Sequence, residues 1–340
     1  MAWIALAAAL ALVISGLVGA NAMRLGKAIG VLDFPDTAGG RKQHAKITPL
    51  VGGLGIVLSV VAVVLAVLAD PTTVAAVRIH LAWFAFAVAS MFLIGLADDR
   101  FALGPKIRLA LAFIVLLLVV LYAPDFGLPF LRFSISDRTW FLDDAGQGFA
   151  LLCLVGLLNA VNMADGKNGL VTGICLVWSL TLLPHCPGPL LPVLAATTVA
   201  LAVTMAFNLK GKLFLGDGGS YALSGVFGLF AIYTYNHEFA AIRADHIAVL
   251  FAIPVFDTIR LMSVRIRRGV SPFLGDRDHL HHHLALRWGW PRRGLFIYLA
   301  MVAGPNALTL LWPQLSLAWL ALALAAYTVV ISHAARTTRA

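Results

Sequence analysis

Charge is what this sequence has least of. Lys, Arg, Asp and Glu make up 12% of its 340 residues, and Glu238 is the sole glutamate. An average soluble chain carries about 25%, so these charges cannot coat a soluble body of this size. Cysteine is scarce too. Cys153, Cys175 and Cys186 show no metal spacing, and two of them sit in apolar runs, which excludes a secreted disulfide scaffold. There is no internal repeat and no low-complexity linker, which excludes a solenoid or a disordered tether. What the chain has instead is apolar surface, with 61% hydrophobic residues and a mean hydropathy of +0.91. Its solvent is lipid.

Eleven segments are long and apolar enough to be read as spans: 3–22, 50–69, 79–97, 107–123, 147–163, 168–184, 189–207, 218–236, 246–264, 295–312 and 316–333. The fold class is therefore all-α and polytopic. The first segment ends on Ala20-Asn21-Ala22, which looks like a cleavage site. It lacks a basic leader, and Arg24 and Lys27 follow it, so it is read as a retained helix with its N-terminus outside. That places the C-terminus in the cytoplasm.

The net charge of +9 would suggest nucleic acid in a soluble protein. Topology explains it better. With the N-terminus outside, the inside segments, counted with their adjoining helix ends, hold 21 of the 25 Lys and Arg residues; only Arg78, Arg132, Arg138 and Arg243 fall outside. The chain is read as one membrane-embedded domain, 1–340, with active-site loops at 23–49, 98–106, 164–167, 208–217 and 265–294. No nucleic-acid partner is expected.

The polar groups gather on those loops. Asp98-Asp99 closes a span, where the helix dipole disfavours carboxylates and each repels the other. Bound Mg²⁺ would offset both costs, and so would a solvated end paired with Arg100, Lys106 or Arg108. Asn159, Asn162, Asp165 and Asn168 recur every three residues, and they stay on one face only if the helix tightens or breaks, which Gly166 and Gly169 permit. The alternative is hydrogen-bonding glue between helices.

Asn208 to Ser220 is a Gly-rich basic turn leading into a helix whose positive end can meet an anion, with Asp217 placed to bridge a metal and Lys210 and Lys212 to neutralise phosphate. A plain basic turn is the simpler reading. His279, His281, His282 and His283 fall within five positions, after Asp276, Arg277 and Asp278. Four imidazoles can bind phosphate or sugar, or move protons, and no nearby cysteine supports zinc. His44 and Lys46 lie in a basic loop before Gly52-Gly53. Trp288, Trp290, Arg292 and Arg293 read as interfacial anchors.

These blocks, in this order, resemble the polyprenyl-phosphate N-acetylhexosamine-1-phosphate transferases, glycosyltransferase family 4, over nearly the whole chain. The branch most similar is that of the bacterial undecaprenyl-phosphate α-N-acetylglucosaminyl-1-phosphate transferases. The resemblance implies transfer of N-acetylglucosamine 1-phosphate from a UDP-sugar to the lipid carrier undecaprenyl phosphate, releasing UMP. The setting it implies is the cytoplasmic face of a bacterial inner membrane, at the first membrane step of a surface polysaccharide such as O-antigen. Mg²⁺ is the implied cofactor, with Mn²⁺ as a substitute, and a homodimer is left open.

The resemblance assigns catalytic roles to Asp98, Asp99, Asp165 and Asp217, with Asp98, Asp99 and Asp217 on the metal. His44, Lys46, Lys106, Asn159, Asn162, Asn168, Asn208, Lys212, Arg277, His279, His281 and His282 form the implied substrate-binding set. Ala102 and Asn168 depart from the family pattern, where acidic residues are common. Another UDP-N-acetylhexosamine and a non-catalytic membrane protein or transporter are the rival readings.

Overall fold

The computed structural model describes residues 2–35, 46–272 and 277–336. His44 lies outside the described residues. The chain is a bundle of helices: α1 (Ala2–Ala20), α2 (Ala22–Ile29), α3 (Gly52–Ala69), α4 (Ala75–Phe101), α5 (Pro105–Tyr122), α6 (Ala145–Ala164), α7 (Leu170–Leu182), α8 (Leu191–Leu209), α9 (Gly216–His237), α10 (Ala244–Arg267), α11 (Leu280–Trp288), α12 (Gly294–Leu311) and α13 (Ser316–Arg336). Two small antiparallel pairs are added: β1 (Leu32–Asp33) with β2 (Thr48–Pro49), and β3 (Phe130–Arg132) with β4 (Thr139–Phe141).

A helix underlies each expected span, and among the described residues nine helical segments are long and apolar enough to cross a membrane. The two expected spans outside that nine have clear reasons. α7 has only 13 residues before a 3₁₀ turn. α9 has 22 residues but is less apolar than the others; it lies at the centre, and from Gly218 to Tyr235 every residue is buried. A helix shielded on all sides can carry Ser220, Ser224, Tyr233 and Thr234 without exposing them to lipid.

Glycine sets how closely the centre packs. A methyl group on Gly95 of α4 would lie 2.2 Å from the Asp217 carbonyl oxygen of α9, and one on Gly53 of α3 would lie 2.3 Å from Gly219 Cα. Backbones can approach this closely only where no side chain intervenes. α4 and α9 run antiparallel, so the end of α4 bearing Asp98 and Asp99 meets the start of α9 bearing Asp217. At the far end the β3–β4 hairpin, unforeseen in the sequence, is tied down: Arg132 N donates to Tyr235 Oη (2.9 Å), and Ser134 N donates to Asp245 Oδ1 (3.0 Å).

Candidate active site

The break predicted after the Asn row is present. α6 stops at Ala164, Asp165 leaves helical geometry (φ −75°, ψ 64°), and Gly169 sits at φ +80° before α7 begins. Gly216, at φ +77°, makes the equivalent bend into α9. Those two bends and the end of α4 surround a cavity of about 850 Å³. Of the residues singled out in the sequence for chemistry, Lys46, Asp99, Asp165, Asn168, Asn208, Lys210, Asp217, Arg277 and His282 line it.

The three candidate metal aspartates meet beside this cavity by different means. Asp99 accepts hydrogen bonds from the backbone N–H of Asp217 (3.0 Å) and Gly218 (3.1 Å). It lies at the unfavourable end of α4 and simultaneously at the positive end of α9, which offsets the dipole penalty. Asp98 is 8% exposed and is ion-paired to Arg108 of α5. The same Arg108 Nη1 reaches Asp217 Oδ2 at 3.3 Å. Asn162 Nδ2 donates to Asp217 Oδ1 (2.9 Å) and to Ser220 Oγ (3.1 Å). Asp217 is therefore held from three helices, with its acceptor oxygens gathered around few donors.

Asp165 lines the cavity with these carboxylates. Burial, helped by the charge of Asp99, pushes its carboxyl up to about 7. Lys167, also in the wall, is pushed down by burial and by Arg277. Asn208 bridges two turns, accepting from Gly169 N and donating to Leu213 O (2.9 Å). Among the described residues Asn159 bonds only within its own helix, to Val155 O (2.8 Å). Lys106 is exposed, and Lys212 lies over the Phe207 ring at 5.7 Å; neither lines the cavity.

The histidines start α11. His279 and His281 stack almost parallel (5.4 Å, 13°), and His282 follows at 4.3 Å from His281. His281 Nε2 abuts Gly166, where a methyl group would lie 2.3 Å away, so the histidine loop seats on the Asn/Asp segment. Asp278 is tied to His283 (2.7 Å), a bond that holds its carboxyl below the usual range.

The glycosyl transferase family 4 model matches residues 81–235, a stretch containing all four candidate catalytic aspartates. That match covers 155 of the 340 residues. It is similar to a probable undecaprenyl-phosphate N-acetylglucosaminyl 1-phosphate transferase of Bacillus subtilis, at 29% identity over 276 residues, covering 77% of this chain and 71% of that protein. It is also 29% identical to the undecaprenyl-phosphate α-N-acetylglucosaminyl 1-phosphate transferase of Yersinia pestis (81% and 74% covered), and 26% identical to that of Escherichia coli K12 (83% and 76% covered).

Three features went beyond the sequence reading. Arg108 stood there as one of three candidate partners for Asp98-Asp99, and its reach to Asp217 was not foreseen. Asp257 lay within an apolar span, yet its Oδ2 is 3.1 Å from His279 Nδ1. Trp290, taken as an interfacial anchor, instead lines the cavity, and its indole N–H donates to Asn168 O (2.8 Å). The physical reason is a kink: Trp290 has extended geometry (φ −125°, ψ 144°) between two helical stretches.

Proposed function

We propose that this protein transfers a hexosamine 1-phosphate from a UDP-N-acetylhexosamine to undecaprenyl phosphate, with N-acetylglucosamine as the sugar. The observation that carries this reading is the convergence of Asp98, Asp99 and Asp217 beside a cavity whose walls include Lys46, Lys167 and Arg277. Carboxylates can hold a cation against a diphosphate, and basic side chains can receive its charge. The active face is read as cytoplasmic because the basic loops gather there. By the same reading the enzyme sits in the bacterial inner membrane and begins a surface polysaccharide.

Among the described residues, no three His, Cys, Asp or Glu side chains form a metal-holding group. Magnesium does not require one. It favours one or two carboxylates, with water and substrate phosphate completing the shell. Asp98 and Asp217 suit this role, since a single cationic nitrogen of Arg108 already touches an oxygen of each. Mg²⁺ there would neutralise charge on the diphosphate; Mn²⁺ has similar ligand preferences.

In this reading a lipid-phosphate oxygen bonds to the β-phosphorus of the UDP-sugar, the bond to the bridging oxygen breaks, and UMP leaves with that oxygen. Asp98 or Asp99 takes any proton still on the lipid phosphate, a small task near neutral pH because the second pKa is about 6. Positioning and electrostatics carry the rate. The test uses purified protein, undecaprenyl phosphate and labelled UDP-N-acetylglucosamine, following UMP and label in the organic phase. Both products should appear with Mg²⁺ and vanish with EDTA. A panel of other UDP-sugars separates the sugar from the reaction. No UMP from any of them would favour a transporter or non-catalytic protein.

A further inference from the structure

We infer that Asp257 is a positioning residue: from inside the bundle it fixes the His279 ring in one tautomer and anchors the first turn of α11, so that His281 and His282 reach Gly166 and the cavity in one arrangement. The inference rests on the transferase reading for its kinetic consequence and on geometry for the rest. Asp257 lies well inside α10 and is 4% exposed. A carboxylate there is costly unless fully paired. Its Oδ2 meets His279 Nδ1 (3.1 Å), and both oxygens accept from Leu280 N (3.2 Å each). Oδ1 also accepts from Tyr327 Oη of α13 (2.8 Å) and from Arg260 Nη2 (3.2 Å).

The chemistry of these bonds is directional. An ionised carboxylate only accepts, so His279 must donate from Nδ1. Its Nε2 is then the nitrogen left for other work. Leu280 N is the first amide of α11, so Asp257 also places a negative charge at that helix's positive end. A carboxylate serving only to neutralise Arg260 would need neither contact. The stack then carries the placement outward, from His279 to His281 against Gly166, and to His282 in the cavity wall.

Other charged and titratable groups face this cluster. Arg260 and Tyr327 contact Asp257, and Tyr298 approaches from α12. Asp278 and His283 lie within the loop, and Lys167 and Arg277 face His282.

Two measurements test this. Histidine-selective ¹⁵N spectra of the full-length protein, with the His279 signal assigned through His279→Gln, should show a ring protonated at Nδ1. A ring unprotonated there overturns the inference, whether or not the protein turns over. The second is kinetic. Asp257→Asn should lower turnover per folded molecule by about 10–100-fold, the usual cost of losing an orienting carboxylate. It should alter KM for the UDP-sugar less. Tyr327→Phe, which keeps the carboxylate and its bond to His279, should lose stability and retain most of the turnover per folded molecule. Wild-type turnover with an Asp257→Asn variant of unchanged rate would reduce Asp257 to packing and overturn the inference. A wild type without turnover would sink the transferase reading alone.

Discussion

Helices α4 and α9 meet over a carboxylate cluster at each end. At the far end, Asp125 Oδ2 lies 3.0 Å from His80 Nε2 of α4 and 3.1 Å from His237 Nε2 of α9. Asn236 Nδ2 adds bonds to the carbonyls of Asp125 and Gly127 (2.8 Å each). There two imidazole nitrogens meet one carboxylate, Asn236 ties its backbone, and the effect is to fasten a short turn. At the site end carboxylates are more numerous relative to their donors. Asp98, Asp99 and Asp217 share Arg108, Asn162 and two backbone amides. The same helix pair thus supports one cluster that closes on itself and one with acceptors to spare for a cation and a phosphorylated substrate.

Removing charge from the site end should break this contrast most sharply. Asp217→Asn is expected to cut UMP release by at least about 10²–10³-fold while the protein still inserts and folds; retention of most activity by the purified variant would refute the role. Gly95→Ala comes next, because its methyl group would lie 2.2 Å from the Asp217 carbonyl oxygen. Overpacking of this kind costs about 1–3 kcal/mol, and the displaced α9 should also lose most of its turnover. A thermal melt and a rate on the same sample would check both. Asn162→Ala, which releases one side of Asp217, should cost about 10-fold in rate with little change in melting temperature.

Asp165 sharpens the comparison through pH. Its folded-state value of about 7 lies above the unfolded value of about 3.9. Proton binding therefore favours the folded state at low pH, and that stabilisation is lost as pH rises through about 7. In metal-free buffer, Asp165→Asn should gain melting temperature relative to wild type between about pH 4 and pH 7, then hold a constant gap. A gap independent of pH would contradict the assignment. The smallest effect belongs to the far end: His237→Gln should cost about 0–1 kcal/mol, since the pair is partly exposed, and leave turnover per folded molecule unchanged.

The helices were legible because lipid demands long apolar runs, and the loops because Lys and Arg accumulate between them. The site was legible where its residues are close in sequence. Asp98-Asp99, the Asn row and the histidine loop stand out as clusters of polarity in an apolar chain. Period-three spacing misled in one place: Asn159 points along its own helix to Val155, because a regular helix rotates it away from Asn162. Arg108 was read as a candidate partner of the aspartate pair, but its reach to Asp217 and the contacts of Asp257 were missed because those partners are distant. Arg108 reaches Asp217 across 109 positions, and Asp257 reaches Tyr327 across 70. No local pattern encodes such pairs. Trp290 was misread because aromatic residues near basic ones look alike whether they face headgroups or a cavity.

The burial of α9 also bears on how the protein is made. A segment with serines, tyrosines and a threonine on its faces gains little by partitioning alone into hydrocarbon during synthesis. Its main packing partners α3, α4, α6 and α7 all precede it in the chain, and a small contact with the later α10 is added. When α9 leaves the ribosome, the surfaces that will enclose it have already been translated, so its insertion can be templated by protein rather than by lipid. The order of the helices along the chain thus doubles as an order of assembly, with the helix that bears Asp217 admitted only after its receptacle exists.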